Sequence, residues 1–407
     1  MIFNNTLIDR LIFNGISIDK VMFNGEIVED FGVDELLYSV GLLSDIHITT
    51  ETDTAQSETD FTRALQYFSE QNVKMACASG DLTEMGTDAE FVKYKEIRES
   101  ATIPMYETTG NHEASSGRTY KASITDENCI AYHLYNLIDR DLYYCLYGDT
   151  YEGLKLSLVD GVLTLETRTL ATNLGLSDND VYIFVGILGD ANNGLFFQEG
   201  LQWFKNKLEL YRNKRCFIFE HCRAENLRWD TSTSSYVEDL YAPYVSGNIS
   251  GKYLKPLWGQ ADNSGTPNYA RVFETLMSHY TNCTWFHGHT HQSARLAEVY
   301  ESDIAIVDKH FGDMYSAWTP SRSEQNTKYS YSVHVSSCAE PRSVDEEGKS
   351  VVLADGSEGC LMEVYKNKVI LKYIDFTTSE VICTCTLETR IDTIEENTYT
   401  DSTGLIN

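Results

Sequence analysis

From Leu36 onward, short apolar runs alternate with stretches of helical spacing, and run after run stops at a residue able to bind a cation or move a proton. Tyr38 to Ser44 is mostly apolar and ends at Asp45. Residues 57–70 carry Phe61, Ala64, Leu65 and Phe68 at helical spacing, and Val73 to Ser79 is a second run, ending at Gly80-Asp81. Residues 88–99 are again helical, and Pro104 to Thr109 leads into Gly110-Asn111-His112-Glu113. A β-α-β-α-β order favours a parallel sheet with polar residues delivered at the carboxyl ends of its strands. Later, Leu201 to Leu210 reads as a helix, Cys216 to Glu220 as a strand ending at His221, and Thr284 to Phe286 as a strand before His287-Gly288-His289-Thr290-His291. Beyond Ile304 the chain is strand-rich, with runs at 331–336, 361–365, 368–376 and 381–387, before a polar tail over 391–407. The pattern predicts an α/β (α+β) chain whose main unit covers 36–390.

An internal repeat precedes that unit. Ile2-Phe3-Asn4-Asn5, Ile12-Phe13-Asn14-Gly15 and Met22-Phe23-Asn24-Gly25 recur at a ten-residue spacing, followed by Ile8-Asp9, Ile18-Asp19 and Val28-Glu29. Asn-Gly between short apolar runs is a strong hairpin signal, because both turn residues must take positive φ. Residues 1–31 therefore predict a small β-meander. So short a module buries little apolar surface, so it should dock on the rest of the chain or on another protein.

Charge narrows the function classes. Against 32 Lys+Arg stand 61 Asp+Glu, a formal net charge of −29 over 407 residues. Such a surface repels long duplex nucleic acid and anionic membranes, so an anionic substrate needs a local positive source. No apolar run approaches the ~18 residues of a membrane span, and the first thirty residues are broken by Asp9, Arg10, Asp19 and Lys20. The expectation is a chain made in the cytoplasm without signal peptide or transmembrane segment. The ten cysteines are scattered without a CxxC, which reads as buried or idle thiols in a reducing compartment.

Five polar clusters carry the chemistry: Asp45-x-His47, Gly80-Asp81, Gly110-Asn111-His112-Glu113, His221 and Gly288-His289-x-His291. Along an extended segment, residues two apart project to one side, so Asp45 with His47 and His289 with His291 can each present a pair of ligands. Asp, Asn and His together suit Mn, Fe or Zn better than Mg or Ca alone. Glycines before Asp81, Asn111 and His289 permit sharp turns close to a metal or phosphate. Asp-x-His and Gly-Asp are common in any long chain. Gly-Asn-His and Gly-His-x-His are each expected by chance only on the order of a few hundredths of a time. His133, His279, His310 and His334 read as ordinary core or surface residues, and His287 lies beside the last turn. The aromatic pair Tyr143-Tyr144 and the stretch 241–253 could line a groove, though strand packing explains them more simply.

The ordered set resembles the calcineurin-like metallophosphoesterase superfamily over 36–390, and residues 336–342 look like the closing segment of bacterial and phage-encoded members. The resemblance implies a two-sheet β-sandwich flanked by helices, with the site at one end. It implies that Asp45, His47 and His291 bind one metal, and that Asn111, His221 and His289 bind a second, with Asp81 bridging. It further implies that His112 serves the leaving oxygen, oriented by Glu113. The implied cofactors are two divalent or trivalent ions (Mn, Fe or Zn); two divalent ions, offset by Asp45 and Asp81, leave roughly +2 in the pocket by formal count. That is the positive source the acidic surface requires. The implied reaction is phosphodiester hydrolysis by a metal-bridging hydroxide, with a phosphomonoesterase or nucleotidase as the alternative. Arg223, just past His221, is a candidate phosphate contact. The repeat over 1–31 resembles short segments at the ends of phage tail and virion proteins. This gives a further alternative, a virion or tail component acting on a cell-surface phosphodiester polymer, with 1–31 joining a virion partner or further copies of the chain.

Overall fold

The computed structural model describes residues 35–51, 55–114, 138–159, 162–186, 196–221, 280, 282–295, 331–344 and 350–388, together with the backbone of short strand pairs elsewhere. Two mixed sheets form the body. The first has strands β1 (Leu36–Leu43), β2 (Met75–Ala78) and β3 (Met105–Glu107), with helices α1 (Ala55–Glu70) and α2 (Asp88–Ser100) as the crossovers between them. The second contains β4 (Tyr143–Tyr147), β5 (Thr150–Val159), β6 (Val162–Ala171), β7 (Asp180–Val185), helix α3 (Gln198–Leu210), β8 (Arg215–Phe219), β9 (Cys283–His287) and β10 (Tyr331–His334). The chain then returns to the first sheet through β11 (Glu358–Tyr365), β12 (Lys368–Asp375) and β13 (Glu380–Glu388). The strand orders are β13-β12-β11-β1-β2-β3 and β6-β5-β4-β7-β8-β9-β10.

Period-two alternation decides what each face meets. Val40, Leu42, Met75, Cys77, Tyr144, Leu146, Tyr182, Phe184, Phe217 and Phe219 form an apolar layer drawn from both sheets and from no helix. The intervening residues, among them Ala76, Ala78, Tyr143, Cys145, Ile183, Cys216 and Ile218, cluster with the helix residues Phe61, Ala64, Leu65, Phe68, Phe204 and Leu208. Within the middle layer Tyr151, Tyr144, Phe184, Phe219 and Phe286 stack across five adjacent strands with ring centroids 4.9, 4.4, 4.8 and 5.1 Å apart. Each such pair adds about 0.5–1.5 kcal/mol beyond burial. Tyr143 and Tyr144 are thus fully buried packing residues, not the lining of a groove.

Buried polar contacts tie the sheets where β1 and β7 begin. Tyr38 donates to Asp180 at 2.5 Å, and the Arg215 guanidinium grips the same carboxylate at 2.5 and 2.8 Å while also donating to the carbonyl of Tyr365. The opposite ends carry the loops. Leu43, Ala78 and Glu107 align in the first sheet, as do Phe219 with Phe286 and His287 with His334 in the second. Every candidate ligand therefore emerges at one end of the sandwich. Helix α2 starts on a capping box: the Thr87 side chain accepts from the Glu90 amide, and the Glu90 carboxylate accepts from the Thr87 amide.

In the N-terminal repeat, backbone pairs join Ile2–Phe3 to Thr6–Leu7, Leu11–Phe13 to Ile16–Ile18, and Lys20–Phe23 to Glu26–Asp30. Each hairpin flanks one of the Asn-Asn or Asn-Gly dipeptides. Among the described residues they form three two-stranded ribbons. Residues 391–407 and Arg223, His133, His279 and His310 lie outside the described residues.

Asp60 on α1 is fully buried, accepts from Gln56 at 2.9 and 3.0 Å and from Arg63 at 3.2 Å, and is lifted by burial to about 6. Its folded-state pKa exceeds its unfolded one, so the stability it lends is complete below pH ~4 and fades as pH rises through ~6, a change on the order of 2 kcal/mol. Asp60→Asn should therefore be more stable than the parent in urea unfolding at pH 8, with the advantage gone at pH 4.

Candidate metal centre

The first sheet supplies three adjacent loops, laced by backbone hydrogen bonds. The amides of Ile46 and His47 both donate to the Asp81 carbonyl at 2.8 and 3.0 Å, and the Asp45 amide donates to Gly80 at 3.1 Å. The second sheet supplies His221 and the 288–291 turn, joined where the Gly288 amide donates to the His221 carbonyl at 2.9 Å. Asp45, His47, Asp81, His221, His289 and His291 converge there, all buried except the half-buried His289.

Left-handed backbone, not an extended strand, aims these side chains. Asp45, His47, Asp81, His289 and His291 have φ of 50°, 51°, 49°, 69° and 54°. Non-glycine residues occupy that region at a cost, and the surrounding structure must hold them in it. These turns, rather than a strand's pleat, bring Asp45 and His47 together with Asp81 and His291, whereas His289 faces Asp81 and His221 and does not pair with His291. Two glycines make the approach possible. Gly80 has φ +93°, and a Cβ on Gly288 would stand 1.7 Å from Ser44 Oγ and 2.3 Å from Asp45 Oδ2.

The donor atoms face one another. His291 Nε2 lies 3.2 Å from Asp45 Oδ1 and 3.1 Å from His47 Nε2; His221 Nε2 lies 2.9 Å from Asp81 Oδ2 and 3.1 Å from His289 Nδ1. The outer nitrogens of three imidazoles are engaged by acceptors: His47 Nδ1 by Glu84 Oε2 at 2.7 Å, His221 Nδ1 by the Ser79 carbonyl at 2.8 Å, and His291 Nδ1 by the Glu340 carbonyl at 3.3 Å. That places the proton on Nδ1 and turns each Nε2 lone pair inward, the arrangement seen around metal-ligating histidines. Asn111 Oδ1 is buried with no hydrogen-bond partner beside the same cluster. Lone pairs and carboxylates packed this closely repel unless a cation lies among them, so the residues fit a metal pair.

Electrostatics point the same way. Burial pushes the Asp45 and Asp81 carboxyls up, but the neighbouring imidazoles outweigh it, His291 chiefly for Asp45 and His221 for Asp81, and hold both well below the usual carboxylate range. Burial lowers His221, yet Asp81 and Asp45 lift it to about 10; His289, buried beside His221, falls to about 3. The two carboxylates thus generate a field that captures positive charge.

His112 sits at the rim, its side chain 30% exposed, with Nε2 4.0 Å from Asp81 Oδ2. Its amide donates to Asp81 Oδ1 at 2.9 Å and its Nδ1 contacts the Glu84 carbonyl at 2.7 Å. Burial lowers its pKa, but Asp81 and Glu84 raise it further, so the net shift is upward. Glu113 stands elsewhere than the sequence reading placed it. Its carboxylate accepts from the amide and hydroxyl of Thr83 at 2.9 and 3.2 Å and from the Gly110 amide at 2.6 Å. It braces two ligand loops against each other, and Glu84 takes the place next to His112. Glu84 was not singled out from sequence, although it follows Asp81 in the same loop. His287 and His334 are fully buried with rings 5.5 Å apart, and His334 meets Thr290 of the ligand turn at 3.0 Å.

The sequence model for the calcineurin-like phosphoesterase matches residues 38–293, more than half of the chain and all of the candidate ligands. The chain belongs to this family. Three solved structures are similar to this chain. A dimetal phosphatase from Danio rerio has TM-score 0.46 and 11% identity, covering 88% of this chain and 100% of its own. GAP50, the anchor in the inner membrane complex of Plasmodium, has 0.44 and 10%, covering 88% and 90%. Purple acid phosphatase PPD1 from yellow lupin (Lupinus luteus) seeds has 0.43 and 11%, covering 86% and 53%. A search of curated proteins found no match. Among the described residues, no helix of the phosphoesterase is long and apolar enough to cross a membrane.

Gly288→Ala should force Asp45 aside. The expected result is a loss of about 1–3 kcal/mol in unfolding free energy, together with weakened metal uptake in equilibrium dialysis.

Proposed function

We propose that this chain is a dinuclear metal-dependent phosphoesterase acting on a phosphodiester, with His112 serving the leaving oxygen. The observation that carries the reading is the inward convergence of His47, His221 and His291 Nε2 upon Asp45 and Asp81, each imidazole fixed through its outer nitrogen. Asp45, His47 and His291 would hold one cation and Asn111, His221 and His289 the other, with Asp81 between them. Bound there, Mn, Fe or Zn ions supply charge against the phosphoryl oxygens and make water acidic enough to attack at neutral pH. His112, fixed by the Glu84 carbonyl and reachable from solvent, can hand a proton to the departing oxygen. A proton donor matters most for a poor alkoxide leaving group, which favours a diester of modest size as substrate. Arg223 is proposed as a phosphate contact.

The test is turnover of bis(p-nitrophenyl) phosphate by the Mn²⁺-loaded protein, compared with p-nitrophenyl phosphate. His112→Ala should lower kcat by ~10²–10⁴ on an alkyl diester, and by less on a p-nitrophenyl ester, whose leaving group needs little protonation. Absence of metal-dependent turnover, or a His112→Ala enzyme equal to the parent on both esters, would sink the reading. Preference for the monoester would select the phosphomonoesterase alternative.

The hairpins of 1–31 support an assembly role, because a lone two-stranded ribbon is marginally stable in water. The partner could be a virion component or further copies of the chain. Deleting 1–31 should reduce the molar mass seen by light scattering and leave kcat/KM on a small ester unchanged; an unaltered mass would count against self-assembly.

A further inference from the structure

Beyond the family match, which ends at residue 293, the chain returns to the metal centre. Residues 337–342 run between the Asp45 loop of the first sheet and the His291 turn of the second. On the first side the Cys338 and Ala339 amides donate to the carbonyls of Ser44 and Asp45 at 2.9 and 3.2 Å. The fully buried Ser337 hydroxyl donates to the Asp45 carbonyl at 3.1 Å and accepts from the Glu340 amide at 2.9 Å. On the second side the Glu340 carbonyl meets His291 Nδ1 at 3.3 Å, the Arg342 amide donates to the His291 carbonyl at 2.6 Å, and the Ser293 amide donates to Arg342 at 2.8 Å. Four contacts thus fall on Asp45 and His291 themselves, and two more on their neighbours Ser44 and Ser293, fixing two residues that arrive from different sheets and whose side chains sit 3.2 Å apart.

The hold is one-sided. His221 is oriented by the Ser79 carbonyl, and the His289 amide donates to Asp45 Oδ1 and Oδ2 at 3.1 and 3.0 Å. The Ser79–His221 and Asp45–His289 hydrogen bonds come from outside 337–342, so the segment reaches this position indirectly, through Asp45.

We propose that segment 337–342 is a latch that sets the Asp45–His291 spacing, with Ser337 as its positioning residue. The Asp45–His47–His291 position then depends on the latch directly, and the Asn111–His221–His289 position only indirectly, through the bond of the His289 amide to Asp45. The inference rests on the dinuclear reading above and deepens it. Asp45 and His291 both sit in left-handed backbone, which relaxes once the contacts on their carbonyls are lost. Ser337→Ala removes the hydroxyl that bonds to both the Asp45 carbonyl and the Glu340 amide. Pro341→Gly loosens the segment without touching that hydroxyl.

The experiment titrates Mn²⁺ into the full metal-free chain and counts bound ions by calorimetry and by electron paramagnetic resonance. The parent should bind two ions and show the spectrum of a spin-coupled pair. Ser337→Ala and Pro341→Gly should weaken one ion ~10–100-fold, as loss of a ligand's supporting contact does, and the other far less. At limiting Mn²⁺ the coupled spectrum should give way to that of an isolated ion. A change confined to overall stability would lower both affinities together, which would overturn the proposal. Two ions bound at parental affinity by both variants would overturn it as well, leaving the phosphoesterase reading intact. A parent that binds no ion would overturn both.

Discussion

Two buried carboxylates and three inward-facing imidazole nitrogens are packed so that each nitrogen lies within 4 Å of a carboxylate oxygen, and this concentration of polar groups is what the rest of the structure has to sustain. Asp45 and Asp81 are essentially inaccessible to water, where isolated carboxylates would be strongly disfavoured. Their ionisation is kept by the surrounding imidazoles, and the same field lifts His221 to about 10. Positive charge at this point is therefore a condition of the fold, whether protons or cations carry it. That condition explains why the ligands come from both sheets: no single loop could surround the charge.

Holding such a cluster requires rigidity at both ends of the sandwich. At one end Tyr38, Asp180 and Arg215 lock the sheets through a buried network, and the aromatic stack from Tyr151 to Phe286 fills the layer between them. At the other end the strands stop and the chain turns through left-handed conformations at five candidate ligands. Each of these turns is disfavoured locally, and each is held by backbone bonds from neighbouring loops: Asp45 to Gly80, His47 to Asp81, Gly288 to His221. Strain at the centre is thus tolerated because the scaffold beneath it is densely packed and cannot relax around it.

The clusters that the structure brings together were legible in sequence as candidate ligands because each is short, local and preceded by an apolar run or a glycine. The first sheet's parallel half was legible for the same reason, since α1 and α2 show helical spacing between strands. Strands β4 to β7 escaped notice, although Asp160-Gly161 carries the hairpin signal read at Asn14-Gly15, and Val159 indeed pairs with Val162 across it. Tyr143 to Tyr147 is buried along nearly its whole length and shows no alternation that would identify it as a strand. Supporting roles were the least visible. Glu84, Ser79, Ser337 and Glu340 act through a carboxylate, two carbonyls and a hydroxyl, and nothing in residue type distinguishes them from any loop residue. Glu113 shows the converse limit: adjacency to His112 suggested contact, but the short helix His112–Ala114 turns its carboxylate toward Thr83 and Gly110 instead.

The net charge of −29 acquires a physical meaning at this centre. A surface so acidic repels a long polyanion along its whole length, and under the dinuclear function proposed above the attraction available to phosphate would come from cations held in one buried cluster at one end of the sandwich. Coulomb attraction inside a poorly solvated pocket falls off far less than repulsion across water and salt, so the two act at different ranges. A small phosphoester feels the outer field weakly and the pocket strongly; a duplex feels the outer field at every phosphate and can present only one of them to the centre. Selection by size then follows from the placement of charge alone, before any side chain recognises the substrate's shape.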